Sequence, residues 1–148
     1  MTHEVATLIE DTTPVTRERI FDLQAALAEM PQVECPVRHF FAGGLYAREM
    51  FIPAGTCAVG KIHRHDQMTM VLGDVTIVTP GQEPVRIESC EPFVSPAGIK
   101  RAAYAHVDSF ITTFHANPDD LRDVDAIEAV LIAPSFEALE VPTTEKLA

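Results

Sequence analysis

Between His39 and His115 the apolar residues recur with a period of two, in short runs cut apart by glycine and proline. This pattern constrains the fold more than any other feature. The runs are 39–42, 45–52, 57–65, 68–72, 75–79, 85–88, 101–104 and 109–115. Alternation at that period puts successive side chains on opposite faces of an extended strand, so each run can bury one face. Gly43-Gly44, Pro53-Ala54-Gly55, Gly73-Asp74, Pro80-Gly81 and Pro96-Ala97-Gly98 stand between the runs. Glycine permits positive φ there and proline holds φ near about −65°, which is what turns require. Closely spaced strands with such punctuation predict a mainly β architecture, a sandwich or small β-barrel.

The period changes on either side. Ile20, Leu23, Leu27 and Met30 recur every three or four residues behind a Thr16 cap, which predicts a helix over 16–31 closed by Pro31. A second helix is predicted over 117–133. Asn117 would cap it, Pro118 would take its first position, Asp119 and Asp120 would meet the positive end of its dipole, and Leu121, Val124, Ile127 and Leu131 would form its buried stripe. Residues 1–15 lack a clear period and read as a loose arm. Residues 134–148 read as a tail whose Phe136, Leu139 and Val141 cover a sheet edge or a partner. The whole, 1–148, is expected to be one domain with its β unit over 39–116, long enough to bury a core without disulfides.

Charge and cysteine usage remove several function classes. The net charge is −11, and it resides in the flanks: residues 1–30 hold 6 acids and 2 bases, 119–148 hold 8 and 2, and 31–118 hold 8 and 7. No basic stripe is available for nucleic acid or an anionic membrane surface. No apolar run reaches the roughly 18 residues of a membrane span, and Met1-Thr2-His3-Glu4 does not open a signal peptide, so a cytoplasmic location is expected. Cys35, Cys57 and Cys90 show no Cys-x-x-Cys spacing and are expected to be reduced. Ser95 and Ser109 lack a nucleophile elbow, Gly43-Gly44 precedes a strand where a phosphate cradle needs a helix, and Asp119, Asp120, Asp123 and Asp125 lack the glycine of a calcium loop.

His63-Arg64-His65 is the chemically distinctive motif. In a continuous strand both imidazoles leave the same face, where they either ligate a transition metal or line a pocket as a polar pair. The segment from Pro53-Ala54-Gly55 through His63-Arg64-His65 to Gly73, followed by a hairpin and Pro96-Ala97-Gly98, resembles the paired motifs of the cupin superfamily over about residues 39–116. Gly44-Leu45-Tyr46-Ala47-Arg48-Glu49 and Lys100-Arg101-Ala102-Ala103-Tyr104-Ala105-His106 extend the likeness to small cupin-like proteins of bacteriophages and prophages. The resemblance implies a double-stranded β-helix with one N-terminal and one C-terminal helix, a homo-oligomer, and a setting in the host cytosol or the virion with other phage structural proteins as partners. It leaves function open, because cupins include dioxygenases, isomerases, epimerases, decarboxylases, lyases, storage proteins and sensors.

The family pattern implies a divalent Fe, Mn, Ni or Zn held by His63 and His65, a glutamate and a third histidine. Here Gln67 stands near the glutamate position and Arg101 where the third histidine belongs. An amide is a poorer ligand than a carboxylate, and a guanidinium repels a cation. His115, and His106 from the preceding turn, are further candidates if their parity turns them inward; otherwise they are surface or core-edge histidines. Arg101, with Lys100 beside it, either forms a cationic cup for a small anion or pairs with Glu49, Asp66 or Asp108. Two function classes follow. One is an oligomeric binding or structural module with a degenerate, anion-accepting pocket. The other is a metal-dependent enzyme in which His63, His65, Gln67 and His115 hold the metal over a small acidic or sugar-like substrate.

Overall fold

Antiparallel pairing carries the alternation into three sheets. A computed structural model describes residues 3–140. In chain order the elements are α1 (His3–Glu10), α2 (Arg17–Ala28), β1 (Val37–Ala42), β2 (Leu45–Ile52), β3 (Cys57–Val59), β4 (Ile62–His63), β5 (Gln67–Leu72), β6 (Val75–Val78), β7 (Val85–Ile87), β8 (Glu91–Ser95), β9 (Ala102–Ala105), β10 (Ser109–Ala116), α3 (Val124–Leu131), β11 (Ile132–Ala133) and α4 (Glu137–Glu140). Five strands order as β1-β2-β10-β5-β8, four as β3-β9-β6-β7, and β4 pairs with β11. The result is a mixed α/β fold with helices at both ends of a β-sheet core. Among the described residues the hydrogen bonding runs in three separate sheets.

Register decides which side chains look inward. Tyr46 of β2 lies opposite His115 of β10, Arg48 opposite Thr113, and Met50 opposite Ile111. Thr113 in turn faces Thr69 of β5, Thr69 faces Phe93 of β8, and Gln67 faces Ser95. Because side chains alternate, these residues share one face of the five-stranded sheet. Between the two larger sheets Ile52, Val71, Val75, Ile77, Ile87, Ala103 and Ala105 form a buried cluster.

The helices differ from expectation in instructive ways. Helix α2 starts where predicted, with Thr16 Oγ1 accepting from the Arg19 amide at 3.2 Å and with Ile20 and Leu23 buried. Residues 3–10, read as a loose arm, are helical. Eight residues are too few for a stable isolated helix, and α1 exists because Val5 and Leu8 pack with Ile20, Leu23, Val78, Ala102 and Tyr104. At the other end the helix begins late. The Asn117 side chain closes a turn on Leu121, accepting from its amide at 3.0 Å and donating to its carbonyl at 2.9 Å, and Asp120 sits at φ +48°. That left-handed residue blocks helix propagation, so Asp123 becomes the cap of α3. Strand β8 was missed because Pro92 breaks its pattern, and its position at a sheet edge is where proline is tolerated. Of the tail, Phe136 packs edge-on against Phe21, whereas Val141 lies outside the described residues. No helix among the described residues is long and apolar enough to cross a membrane.

One glycine is required by close approach. Gly73 has φ +131°, and a Cβ there would stand 2.7 Å from Ser109 Cβ and 3.0 Å from Ser109 Cα. Ser109 cannot yield, since it is fully buried and its Oγ donates to Val107 O at 2.8 Å. Gly73→Ala is expected to cost about 3 kcal/mol from combined overpacking and backbone strain. Gly44→Ala, at φ +76° with open space around it, should cost about 1 kcal/mol. Urea unfolding of the two variants measures the difference, and equal losses would refute the packing argument.

Candidate functional site

The inner faces of the sheets and α3 enclose a cavity of about 410 Å³. One wall is a column of rings. His39 and Tyr46 stack at 5.9 Å between centroids, Tyr46 and His115 at 5.8 Å, and His115 and His63 at 5.3 Å. Tyr46 Oη shares a hydrogen bond with His39 Nδ1 at 2.6 Å, and His115 Nε2 shares one with Thr113 Oγ1 at 2.9 Å. Opposite lies Arg101, whose Nε donates to Thr79 Oγ1 at 2.8 Å and whose Nη1 donates to Ser95 Oγ. Arg48 enters from β2. Apolar side chains, among them Met50, Ile77, Phe93, Ile111 and Leu131, complete the walls.

Of the motif's two histidines the structure brings only one into the cavity. Strand β4 ends at His63, and just beyond it the Arg64 amide donates to Leu131 O at 2.8 Å while its guanidinium reaches Ile132 O at 3.2 Å and Ala138 O at 3.3 Å. The chain bends there, and His65 is exposed instead of sharing a strand face with His63. The premise of a continuous strand through 63–65 is thus corrected. Gln67 and His115 do face the cavity. Lys100 and His106 do not line it. Lys100 is buried elsewhere, its Nζ donating to Gly60 O at 2.8 Å and lying 5.3 Å from the Phe21 ring. His106 Nε2 bonds Thr76 Oγ1 at 2.7 Å on the helix-covered side, edge-on to Tyr104. Arg101 makes none of the ion pairs that sequence offered it, since Glu49 is taken by Arg38 at 2.5 Å and Asp66 and Asp108 cap backbone amides.

Sequence reasoning missed Arg48, Tyr46, His39, Thr69 and Ser95 as cavity residues. A signal for Arg48 existed: it stands in phase with Tyr46, Met50 and Ile52 in a run whose inner face is otherwise apolar or aromatic. Charge in the cavity is one-sided. Glu128 is the one carboxylate among the described lining residues, and it is ion-paired to Lys61. Neither Arg48 nor Arg101 has a carboxylate partner among the described residues. Burial pushes the His63 imidazole down to about 4, helped by His115, Arg48 and Arg101. Burial likewise pushes His115 down to about 4, with Arg48 and His65 adding repulsion. Both rings are neutral at pH 7. Gln67 Oε1 and Thr69 Oγ1 are buried without a hydrogen-bond partner.

The donor set does not fit the divalent metal that the family pattern implies. Among the described residues no three His, Cys, Asp or Glu side chains converge, and two guanidinium groups flank the His63–His115 pair. Cation binding there works against Coulomb repulsion in a partly desolvated site.

The fold is similar to that of several solved structures. Salicylate 1,2-dioxygenase from Pseudoaminobacter salicylatoxidans superposes with a TM-score of 0.52 at 16% identity, over 84% of this chain and 40% of its own. Ectoine synthase from P. lautus gives 0.50 at 15%, over 59% and 67%. A cupin superfamily protein from Desulfitobacterium hafniense DCB-2 gives 0.48 at 12%, over 62% and 85%. No protein-family model and no curated protein sequence matches the chain. Likeness at these identities extends to the fold alone.

The neutral imidazoles set a pH dependence. With folded values of about 4 against 6.5 for a free histidine, the unfolded chain binds more protons below pH 6.5. Their contribution is therefore intact above that pH and is lost as pH falls toward 4. Melting temperature should drop across this window, and His63→Gln with His115→Gln should flatten the drop. An unchanged slope in the double variant would refute the assignment.

Proposed function

We propose that this chain is a cupin-like binding module whose cavity takes a small organic acid, with Arg48 and Arg101 holding its carboxylate. The observation that carries this reading is the pair of guanidinium groups without carboxylate partners in a cavity of a chain whose net charge is −11. Both guanidinium groups are half-buried, so an anion beside them gains from the partial desolvation of the site, and a planar fork matches a carboxylate. Gln67 and Thr69 add unpartnered polar atoms. The apolar walls call for a ligand with a hydrocarbon or aromatic body, and the cavity volume lies in the range of small-molecule sites. The phage-particle setting implied by the resemblance belongs to this proposal as well, supported by the sequence pattern at residues 44–49 and 100–106.

The neutral His63–His115 pair favours the second reading, a metal-dependent enzyme with Gln67 as a third donor. One set of measurements separates the two. Calorimetric titration with acetate, benzoate and inorganic phosphate is expected to show benzoate binding. Arg48→Met and Arg101→Met should each weaken it about tenfold or more, as loss of a charge-assisted hydrogen bond implies, and rising salt should weaken it modestly. No binding at millimolar acid, together with near-stoichiometric metal that is lost in His63→Ala, would replace this reading with the second.

A further inference from the structure

The polarity of the cavity runs in one direction. Strand register sets the inner face of the five-stranded sheet in rows about 7 Å apart, two residues along each strand. Tyr46 and His115 make one row, His39, Arg48, Thr113 and Thr69 the next, and Val37, Met50, Ile111 and Val71 the one after. Rings and a guanidinium therefore stand at one end and hydrocarbon at the other. Beside the hydrocarbon end lies a second cavity, of about 460 Å³, between the end of α2, the segment that follows it and β3. Leu27, Met30, Val33, Cys35 and Cys57 are among its walls, and no charged side chain lines it among the described residues. The two cavities share Met50, Ala58 and Val59. Of these three only Met50 has an unbranched side chain with several rotatable bonds, which can move aside without displacing its strand.

We infer that the organic acid is an unbranched aliphatic one, whose chain passes Met50 and fills the second cavity. This rests on the carboxylate reading above and adds a second binding site to it. Arg48 and Met50 lie on the same face of β2, one row apart, so a carboxylate on Arg48 has the shared wall within reach of a short run of methylenes. A compact acid such as benzoate ends inside the first cavity, whereas an alkyl chain is thin enough to follow a rotated thioether. Each methylene that goes beyond the wall leaves water for an apolar lining and adds affinity. The absence of charge selects this ligand class: a sugar or a dicarboxylic acid of the same length would leave a polar end without a charged partner there. The second cavity meets solvent through Met30, 38% exposed, and Val33, 53% exposed. An alkyl chain takes the place of water against that apolar wall.

Calorimetric titration of the full chain with hexanoate, octanoate, decanoate and dodecanoate, each below its micellar concentration, is expected to show affinity rising about fourfold for each added methylene. Occupancy of the second cavity is read separately by maleimide alkylation, resolved residue by residue with mass spectrometry. Dodecanoate at about ten times its dissociation constant should slow modification of Cys35 and Cys57 about tenfold by mass action, whereas benzoate at the same saturation should not. Cys90, exposed and lining neither cavity, should react at an unchanged rate throughout. Because burial pushes the Cys57 thiol up to about 11, Val33→Cys supplies a more exposed thiol on the same wall, and dodecanoate should protect it in the same way. If benzoate binds but dodecanoate binds no tighter than hexanoate, or binds without protecting the thiols of this wall, the inference falls and the carboxylate reading stands. If neither benzoate nor any alkyl acid binds, both fall.

Discussion

The register of Leu45–Ile52 against Ser109–Ala116 is the constraint on which the rest of the molecule depends. A slip of one residue would carry Arg48, Met50, Ile111 and His115 to the outside and bring Glu49, Phe51, Phe110 and Phe114 into the cavity. Each of the two faces has its character only because of this parity. The inner face gathers guanidinium, imidazole and hydroxyl groups around a space of ligand size. The outer face gathers phenylalanine and methionine with one self-neutralising ion pair.

The C-terminal segment is held beside the cavity by contacts that were invisible as chemistry in the sequence. Arg64, the middle residue of the histidine motif, donates from its backbone and its guanidinium to carbonyls of the C-terminal segment. Those bonds tie the segment after β4 to the end of α3, to β11 and to α4. The chain bends at 64–65, and His65 is exposed.

Much of the fold was legible because alternation and punctuation act locally. The runs 45–52, 75–79 and 109–115 became strands close to their predicted bounds, and Thr16 caps α2 as its spacing required. Errors fell where distant contacts overrode local preference. Helix α1 has too few residues to persist without the sheet beneath it, and the Asn117 turn displaced the expected helix start by bonding both ends of Leu121. His63, Gln67 and Arg101 were singled out by the motif, whereas the direction of His115 was left open by alternation and was fixed by its pairing opposite Tyr46. Arg48 belongs to no ligand motif, and its signal is its phase with the buried residues of β2.

By itself the sequence determined the β-rich centre and the acidic flanks, because periodicity and composition need no partners. Tertiary structure alone decided which of the six histidines gather around the cavity. Strand pairing placed His39 and His115 against Tyr46, the bend after β4 left His65 exposed, and the helix-covered side took His106. The physical reason is that side-chain direction is a local property only while a strand stays straight. Where it bends, or where the chain returns from far away in sequence, direction is set by hydrogen bonds to residues that no local pattern can name.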